Sequence, residues 1–205
     1  KAMKRRHFVV AMAALGASLP AIGARAPAGR LGQPWQVPAA ATVEVWPSES
    51  GLDLAGALRA VAGWRIPPGA RVVLRLADGV HPQTGAIDLG HPDGAGLSII
   101  GNPRQPERCR LAWSGASEGF YAGPGAVLGM LDGLVIEQAA PAARGQGSGV
   151  LAELGGVIRC GPNVLVRGFY YGFQARIGGM ISCAGTTCSG AGDAAYFAFN
   201  GGRLY

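Results

Sequence analysis

Residues 149–160 read GVLAELGGVIRC, and the same pattern returns 23 residues later, where residues 172–183 read GFQARIGGMISC. A third copy, residues 195–205, reads AYFAFNGGRLY, and an earlier one begins with GFYAGPG at residues 119–125. Repetition at a fixed period of this length is typical of solenoids, in which each repeat packs only against its neighbours. Because each copy consists of short apolar stretches and glycine turns, the pattern predicts one coil of parallel strands for each copy.

The earliest copy stands 30 residues before the next one, so its coil must hold seven additional residues. Alignment of residues 134–137 with residues 164–167 keeps this step of 30 and assigns the excess to the segment between Gln138 and Ser148. Insertions in solenoids occur at the turns, since each coil contacts only its neighbours. We therefore predict that this segment is a loop that leaves the stack.

Strand alternation assigns one side of each repeat to the interior. The predicted inward positions are Ile158, Ile181 and Leu204, the cysteines Cys160 and Cys183, and the alanines Ala152, Ala175 and Ala198; Arg159, Ser182 and Tyr205 are predicted to point outward. On the outer side, Glu137 aligns with Arg167 and Glu153 aligns with Arg176. We expect each of these two pairs to form an ion pair between neighbouring coils.

The N-terminal region is predicted to be an export signal followed by a linker. Within residues 1–26, Lys4, Arg5 and Arg6 precede an apolar stretch and a short series of small residues, which is the order of a cleavable signal peptide. The segment RRHFVV resembles the twin-arginine export motif, and an ordinary secretory signal is the alternative. The apolar stretch is too short for an integral membrane anchor, so we expect a periplasmic or secreted protein. Residues 27–41, rich in Pro, Gly and Ala, are the predicted linker.

Residues 42–205 carry the elements of the predicted solenoid. Leu54, Leu58 and Val61 recur at helical spacing within residues 52–64, and Asp53 stands where an N-cap is favoured. Further strands are predicted at residues 43–46, 72–76, 86–89, 97–100 and 109–113. The last copy ends within a coil, and a terminal coil otherwise exposes an unpaired edge. We therefore expect the solenoid to be truncated at its C-terminal end, which further sequence or another subunit would cover.

Three kinds of segment resemble the pectin-lyase-like superfamily: LADGV at residues 76–80, LSIIGN at residues 97–102, and the coils with a Gly-aromatic-x-Ala-x-x-Gly-Gly pattern. The coils are also similar to β-helical tail appendages of bacteriophages. The resemblance implies an all-β fold, a right-handed parallel β-helix whose N-terminal end is capped by an amphipathic helix. The superfamily includes lyases, hydrolases, epimerases and non-catalytic adhesins, so it does not define an activity.

The sequence identifies no catalytic group. An enzyme of this superfamily would be a polysaccharide lyase or a glycoside hydrolase, but the chain has no Asp-Asp pair, and hydrolysis needs two carboxylates flanking one bond. The histidines of His81-Pro82 and of residues 91–94 are predicted to lie in turns, because proline and glycine follow them. No cofactor and no metal site are predicted, since no set of acidic residues gathers on one face.

A candidate carbohydrate-binding surface comprises Tyr170, Tyr171, Phe197, Phe199, Arg159 and Arg176, which are predicted to lie outside the coils. Aromatic rings beside guanidinium groups suit the stacking of sugar rings, so a polysaccharide is the predicted partner. The sequence thus predicts an exported β-helix that binds or processes a polysaccharide. The alternative is a non-enzymatic surface or appendage module, an adhesin or a phage-tail-like spacer.

Charge and cysteine content bear on the other partners and on covalent links. Of the 18 basic residues, five precede Pro27, so the remainder is nearly balanced against the 12 acidic residues, and no nucleic acid partner is expected. We predict that Cys109, Cys160 and Cys183 are thiols packed in the core. A bridge between Cys160 and Cys183 and one between Cys183 and Cys188 are the alternatives.

Overall fold

The computed structural model describes residues 30–47, 51–115, 117–139 and 147–205. The predicted signal, residues 1–26, and most of the predicted insertion, residues 140–146, lie outside the described residues. Within the predicted linker, residues 27–41, the structure contains strand β1 (Trp35–Gln36) and the beginning of strand β2 (Ala40–Val45).

Three parallel sheets account for most of the strands, which are numbered here in chain order. The first sheet contains β2, β4 (Arg71–Leu76), β7 (Leu97–Ile100), β10 (Val127–Asp132), β13 (Val157–Cys160), β16 (Met180–Ser182) and β19 (Arg203–Leu204). The second sheet contains β5 (Gly79–Gln83), β8 (Cys109–Trp113), β11 (Leu134–Gln138), β14 (Val164–Arg167) and β17 (Thr187–Ser189). The third sheet contains β6 (Ile87–Asp88), β9 (Phe120–Ala122), β12 (Ser148–Glu153), β15 (Tyr171–Arg176) and β18 (Ala194–Phe199).

From β4 onward, each strand pairs in parallel with the strand three places further along the chain. The chain therefore visits the first, second and third sheets in turn and then returns to the first. Stacked parallel sheets with this order are compatible with the predicted β-solenoid. Among the residues that the structure describes, no helix is long and apolar enough to cross a membrane.

The strand register agrees with the repeat alignment. Val150 pairs with Phe173, which pairs with Tyr196, so residues 23 apart lie on neighbouring coils. Ile158, Ile181 and Leu204 form a second such column. Across the coil that carries the insertion, Leu134 pairs with Val164 and Ile136 with Val166, which confirms that the additional residues follow Gln138.

The interior is filled by apolar side chains from all three sheets. Trp113 packs edge-on against Phe120 and Phe169, with ring centroids 6.0 and 5.9 Å apart, and its indole nitrogen donates a 2.9 Å hydrogen bond to the carbonyl of Gly85. Each fully buried aromatic or aliphatic side chain contributes roughly 1.5–3 kcal/mol through its removal from water. Tyr196 stacks on the buried Phe173 but is 44% exposed, because it belongs to the last described coil.

A short helix and two strands cover the N-terminal end of the stack. Helix α1 (Leu54–Val61) begins at Asp53, whose carboxylate accepts a 2.6 Å hydrogen bond from the Gly56 amide, so the predicted N-cap is confirmed. The helix buries Leu54, Ala57 and Val61. Next to the helix, β1 pairs with β3 (Trp64–Arg65).

The two histidine segments differ in structure. Residues 91–94 form the predicted turn, in which His91 accepts a hydrogen bond from the Asp93 amide. The prediction of a turn at His81-Pro82 is wrong, since both residues lie within β5 and His81 is buried. The physical reason is that β5 is the edge strand of the second sheet, and an edge strand can hold a proline, which has no amide hydrogen to donate.

Only one of the two predicted ion pairs forms. Glu153 and Arg176 are paired as expected, with 2.5 Å between the Glu153 carboxylate and the Arg176 Nε. Glu137 pairs with Arg167 in the strand register, but its carboxylate binds Arg110 of β8 at 2.6 Å, while Arg167 binds Glu107. The prediction failed because arginine side chains are long enough to reach acids that are not directly opposite in the register.

All four cysteines carry free thiols, as predicted for Cys109, Cys160 and Cys183, which are buried. Burial raises the pKa of Cys109 to about 12 and that of Cys188 to about 11, and it also raises the pKa of Cys160 and Cys183. A thiol with a raised pKa remains protonated and behaves as a small apolar group.

Candidate functional site

The outer surface of the third sheet gathers most of the residues proposed from the sequence. Two rows of side chains cross this surface in the strand register. The first row contains Tyr121, Leu151, Gln174 and Phe197, and the second contains Glu153, Arg176 and Phe199. Leu151 and Gln174, in the middle of the first row, are covered by their neighbours and are only 1% and 4% exposed. Residues at alternate positions, such as Val150, Phe173 and Ala175, point into the core. We refer to this surface as the third-sheet face.

Four aromatic rings form a continuous group, here called the aromatic row, that consists of Tyr170, Tyr171, Phe197 and Phe199. Tyr171 and Phe197 stack with ring centroids 4.9 Å apart and an angle of 13° between their planes. Tyr170 contacts Tyr171 edge-on at 4.8 Å, and Phe199 is tilted by 36° against Phe197 at 5.3 Å. Because Phe197 is covered by Tyr171 on one side and by Phe199 on the other, Phe199 offers the ring surface most available to a ligand. Phe199 is 36% exposed.

A polar triad of Tyr121, Glu153 and Arg176 adjoins the aromatic row. The Tyr121 hydroxyl donates a 2.8 Å hydrogen bond to one Glu153 oxygen, and Arg176 Nε donates to the other. Burial alone would raise the pKa of Glu153, but the hydrogen bonds from Arg176 and Tyr121 together outweigh it and lower that pKa. The hydrogen bond to Glu153 raises the pKa of Tyr121. The triad therefore holds a carboxylate and a protonated phenol in fixed positions.

Polar groups also surround the other end of the third-sheet face. Ser148 donates a 2.7 Å hydrogen bond to the side-chain oxygen of Gln174, and both residues are buried. The Glu118 carboxylate accepts a hydrogen bond from the Ser148 amide. Burial, and after it the neighbouring carboxylate of Asp193, raises the pKa of Tyr171. These contacts fix the backbone on which the aromatic row stands.

Of the six residues predicted to bind carbohydrate, five lie on the third-sheet face and one does not. Tyr170, Tyr171, Phe197, Phe199 and Arg176 are together there. Arg159 is exposed but lies on β13 of the first sheet, where it aligns with Ser182. The prediction placed Arg159 with the others because outward positions of one repeat share one pattern in the sequence, but the strands of one coil belong to three different sheets.

Sequence reasoning missed Tyr121. Its strand pairs with β12, and the signal was present in the repeat, since the copy at residues 119–125 places Tyr121 in line with Leu151 and Gln174. The repeat alignment did predict the ion pair between Glu153 and Arg176, to which Tyr121 is joined by its hydrogen bond to Glu153.

The two histidines that the structure describes are engaged in the fold. The Nε2 of His81 donates a 2.8 Å hydrogen bond to the Ala77 carbonyl, and the Nε2 of His91 donates one of 3.1 Å to the Val61 carbonyl. Burial lowers the pKa of both histidines, so both are neutral near pH 7. Within the described ranges, no three His, Cys, Asp or Glu side chains are grouped as a metal site would need.

Comparison with known proteins identifies no relative. No protein-family model matches the chain, and neither a curated protein nor a solved structure matches it.

Proposed function

We propose that this chain is an exported, right-handed parallel β-helix of the pectin-lyase-like kind that binds a polysaccharide on its third-sheet face. The strand order supports the fold, because strands in three parallel sheets are visited in turn. Parallel crossovers are right-handed in about 98% of cases. The basic and apolar leader in residues 1–26 supports export.

The observation that carries the binding proposal is the aromatic row beside the polar triad. A sugar ring has an apolar face of C–H groups and a rim of hydroxyls, so it needs a ring surface and hydrogen-bonding groups at its edge. Phe199 supplies the exposed ring surface, and Phe197 supports it from behind. Glu153 and Arg176 lie on neighbouring coils in the row of Phe199 and supply acceptors and donors in fixed positions.

The state of Glu153 favours binding over hydrolysis. Both carboxylate oxygens accept hydrogen bonds, and its pKa is lowered, so the group is a poor proton donor. A glycoside hydrolase requires a carboxylic acid of raised pKa opposite a second carboxylate. The triad instead resembles the fixed polar groups that orient a ligand.

The test compares Phe199→Ala with Tyr205→Ala in affinity electrophoresis through gels that contain single polysaccharides. Tyr205 is a matched control, because it is an aromatic side chain, 62% exposed, that follows β19 of the first sheet. We expect Phe199→Ala to weaken binding about tenfold, which corresponds to about 1.4 kcal/mol. Tyr205→Ala should bind as the unaltered protein does.

Two results would contradict this function. One is that no polysaccharide of a broad panel retards the unaltered protein. The other is that Phe199→Ala and Tyr205→Ala weaken binding equally, since the third-sheet face would then have no special role.

A further inference from the structure

The charges around the aromatic row are predominantly negative. The five strands of the third sheet carry one guanidinium, Arg176, and two carboxylates: Glu153, and Asp88 on the edge strand opposite to that of Phe197. Two further carboxylates adjoin the same face: Glu118 at the Ser148 amide and Asp193 beside Tyr171. Since Arg176 is paired with Glu153, no unpaired cation stands on the described strands of this sheet.

We propose that the third-sheet face selects a glycan without carboxylate groups and disfavours polyuronates. This inference rests on the proposed polysaccharide binding and names the class of ligand. A uronate bound on the aromatic row would bring its carboxylate near Glu153 or Asp193. The charge of Arg176, the one guanidinium on these strands, is already balanced by Glu153, which binds its Nε.

The expected size of the discrimination follows from Coulomb's law. Two like charges about 4 Å apart in water repel each other enough to weaken binding about fivefold, and a lower local dielectric increases this factor. The effect should fade with salt, because the screening length falls from about 10 Å at 0.1 M to about 3 Å at 1 M. Like-charge contacts commonly set specificity in this way.

The experiment uses two polymers with the same backbone, polygalacturonate and its fully methyl-esterified form, and measures the retardation of the purified protein. Both polymers present the same sugar ring, so their ratio isolates the charge. We expect the ester to bind at least fivefold more tightly at low salt, with the ratio falling toward one at 1 M salt. Neutral glucan, xylan and galactan gels show independently whether the face binds polysaccharide at all.

Paired variants locate the effect on the third-sheet face. Glu153→Gln removes one negative charge there and releases Arg176, so it should lower the preference for the ester about fivefold or more. Glu137→Gln is the matched control, because Glu137 is also paired with an arginine but lies on β11 of the second sheet. The control should leave the ratio unchanged.

The outcomes separate this inference from the proposed function. Binding of neutral polymers, with polygalacturonate bound as tightly as the ester or more tightly, overturns the charge selection and leaves polysaccharide binding intact. An ester preference that Glu137→Gln lowers as much as Glu153→Gln also overturns it, because the selection would arise from overall charge. Failure of every polymer to bind removes both proposals.

Discussion

The turn from the third sheet to the first sheet provides a sharp test of the fold, because two adjacent glycines are required there for different reasons. Gly178 has a φ of +76°, and a Cβ added to it would approach no atom closer than the Gly155 amide nitrogen at 4.0 Å. Gly179 has no positive φ, but a Cβ there would lie 2.2 Å from the carbonyl oxygen of Ala152 on the preceding coil. Gly178→Ala therefore tests backbone conformation, and Gly179→Ala tests close approach of two coils.

The magnitudes differ because strain and overlap have different costs. A left-handed conformation costs an alanine roughly 1–2 kcal/mol relative to glycine. At Gly179 the overlap is with backbone, so the coils must separate by about 1 Å, which weakens the hydrogen bond of 2.8 Å from the Met180 amide to the Gly156 carbonyl. Overpacking of this kind costs about 3 kcal/mol or more. For a domain of this size each kcal/mol lowers Tm by about 2–4 °C.

Thermal unfolding followed by circular dichroism would measure the difference. We expect Gly179→Ala to lower Tm by about 6–12 °C and Gly178→Ala by about 2–8 °C. Gly85→Ala is the control, because its φ is not positive and its added Cβ would meet nothing within 4 Å. If Gly179→Ala melts like the unaltered protein or like Gly85→Ala, the close stacking of coils at this turn is refuted.

Two further predictions concern the same turn and the thiols. Ile177 has a φ of +52° and is 46% exposed, and Asn200 occupies the equivalent position of the next repeat. Because asparagine tolerates a positive φ better than isoleucine, Ile177→Asn should stabilise the protein by about 1 kcal/mol and raise Tm. A lower Tm would contradict this. Because its raised pKa keeps the Cys188 thiol protonated, a disulfide reagent at pH 8 should label it much more slowly in the native protein than in denaturant, and the same holds for Cys109. Rapid labelling of all four cysteines in the native state would show that these thiols are not shielded by the fold.

The register of the stack was predictable from the sequence because a repeated sequence forms the same backbone structure in each copy. Once residues 149–160 were aligned with residues 172–183, the pairing of Val150 with Phe173 followed, and the structure has that pairing. The location of the insertion after Gln138 followed in the same way, since only one alignment keeps Ile136 opposite Val166. These are properties of the backbone, which the repeat constrains directly.

Side-chain partners were harder to predict than register. Glu137 and Arg167 are opposite each other, yet each binds a different partner. A long arginine side chain can reach several carboxylates besides the one directly opposite it. The site was affected by the same limitation. Alternation along one strand shows which residues point outward, but Arg159 and Arg176 point outward from different sheets, and the repeat pattern alone does not show where one sheet ends and the next begins.

The third-sheet face also shows why outward residues can vary along such a stack without disturbing it. Inward positions of the third sheet, Phe120, Val150 and Phe173, must fill the same interior, so all are apolar and buried. Outward positions in the adjacent row do not fill that interior, and they change from Tyr121 to Leu151 to Gln174 to Phe197 along the stack. The stability of the coils therefore depends mainly on the inward residues, and the proposed ligand recognition on the outward ones. For this reason substitutions such as Phe199→Ala and Glu153→Gln can test function while the core remains intact.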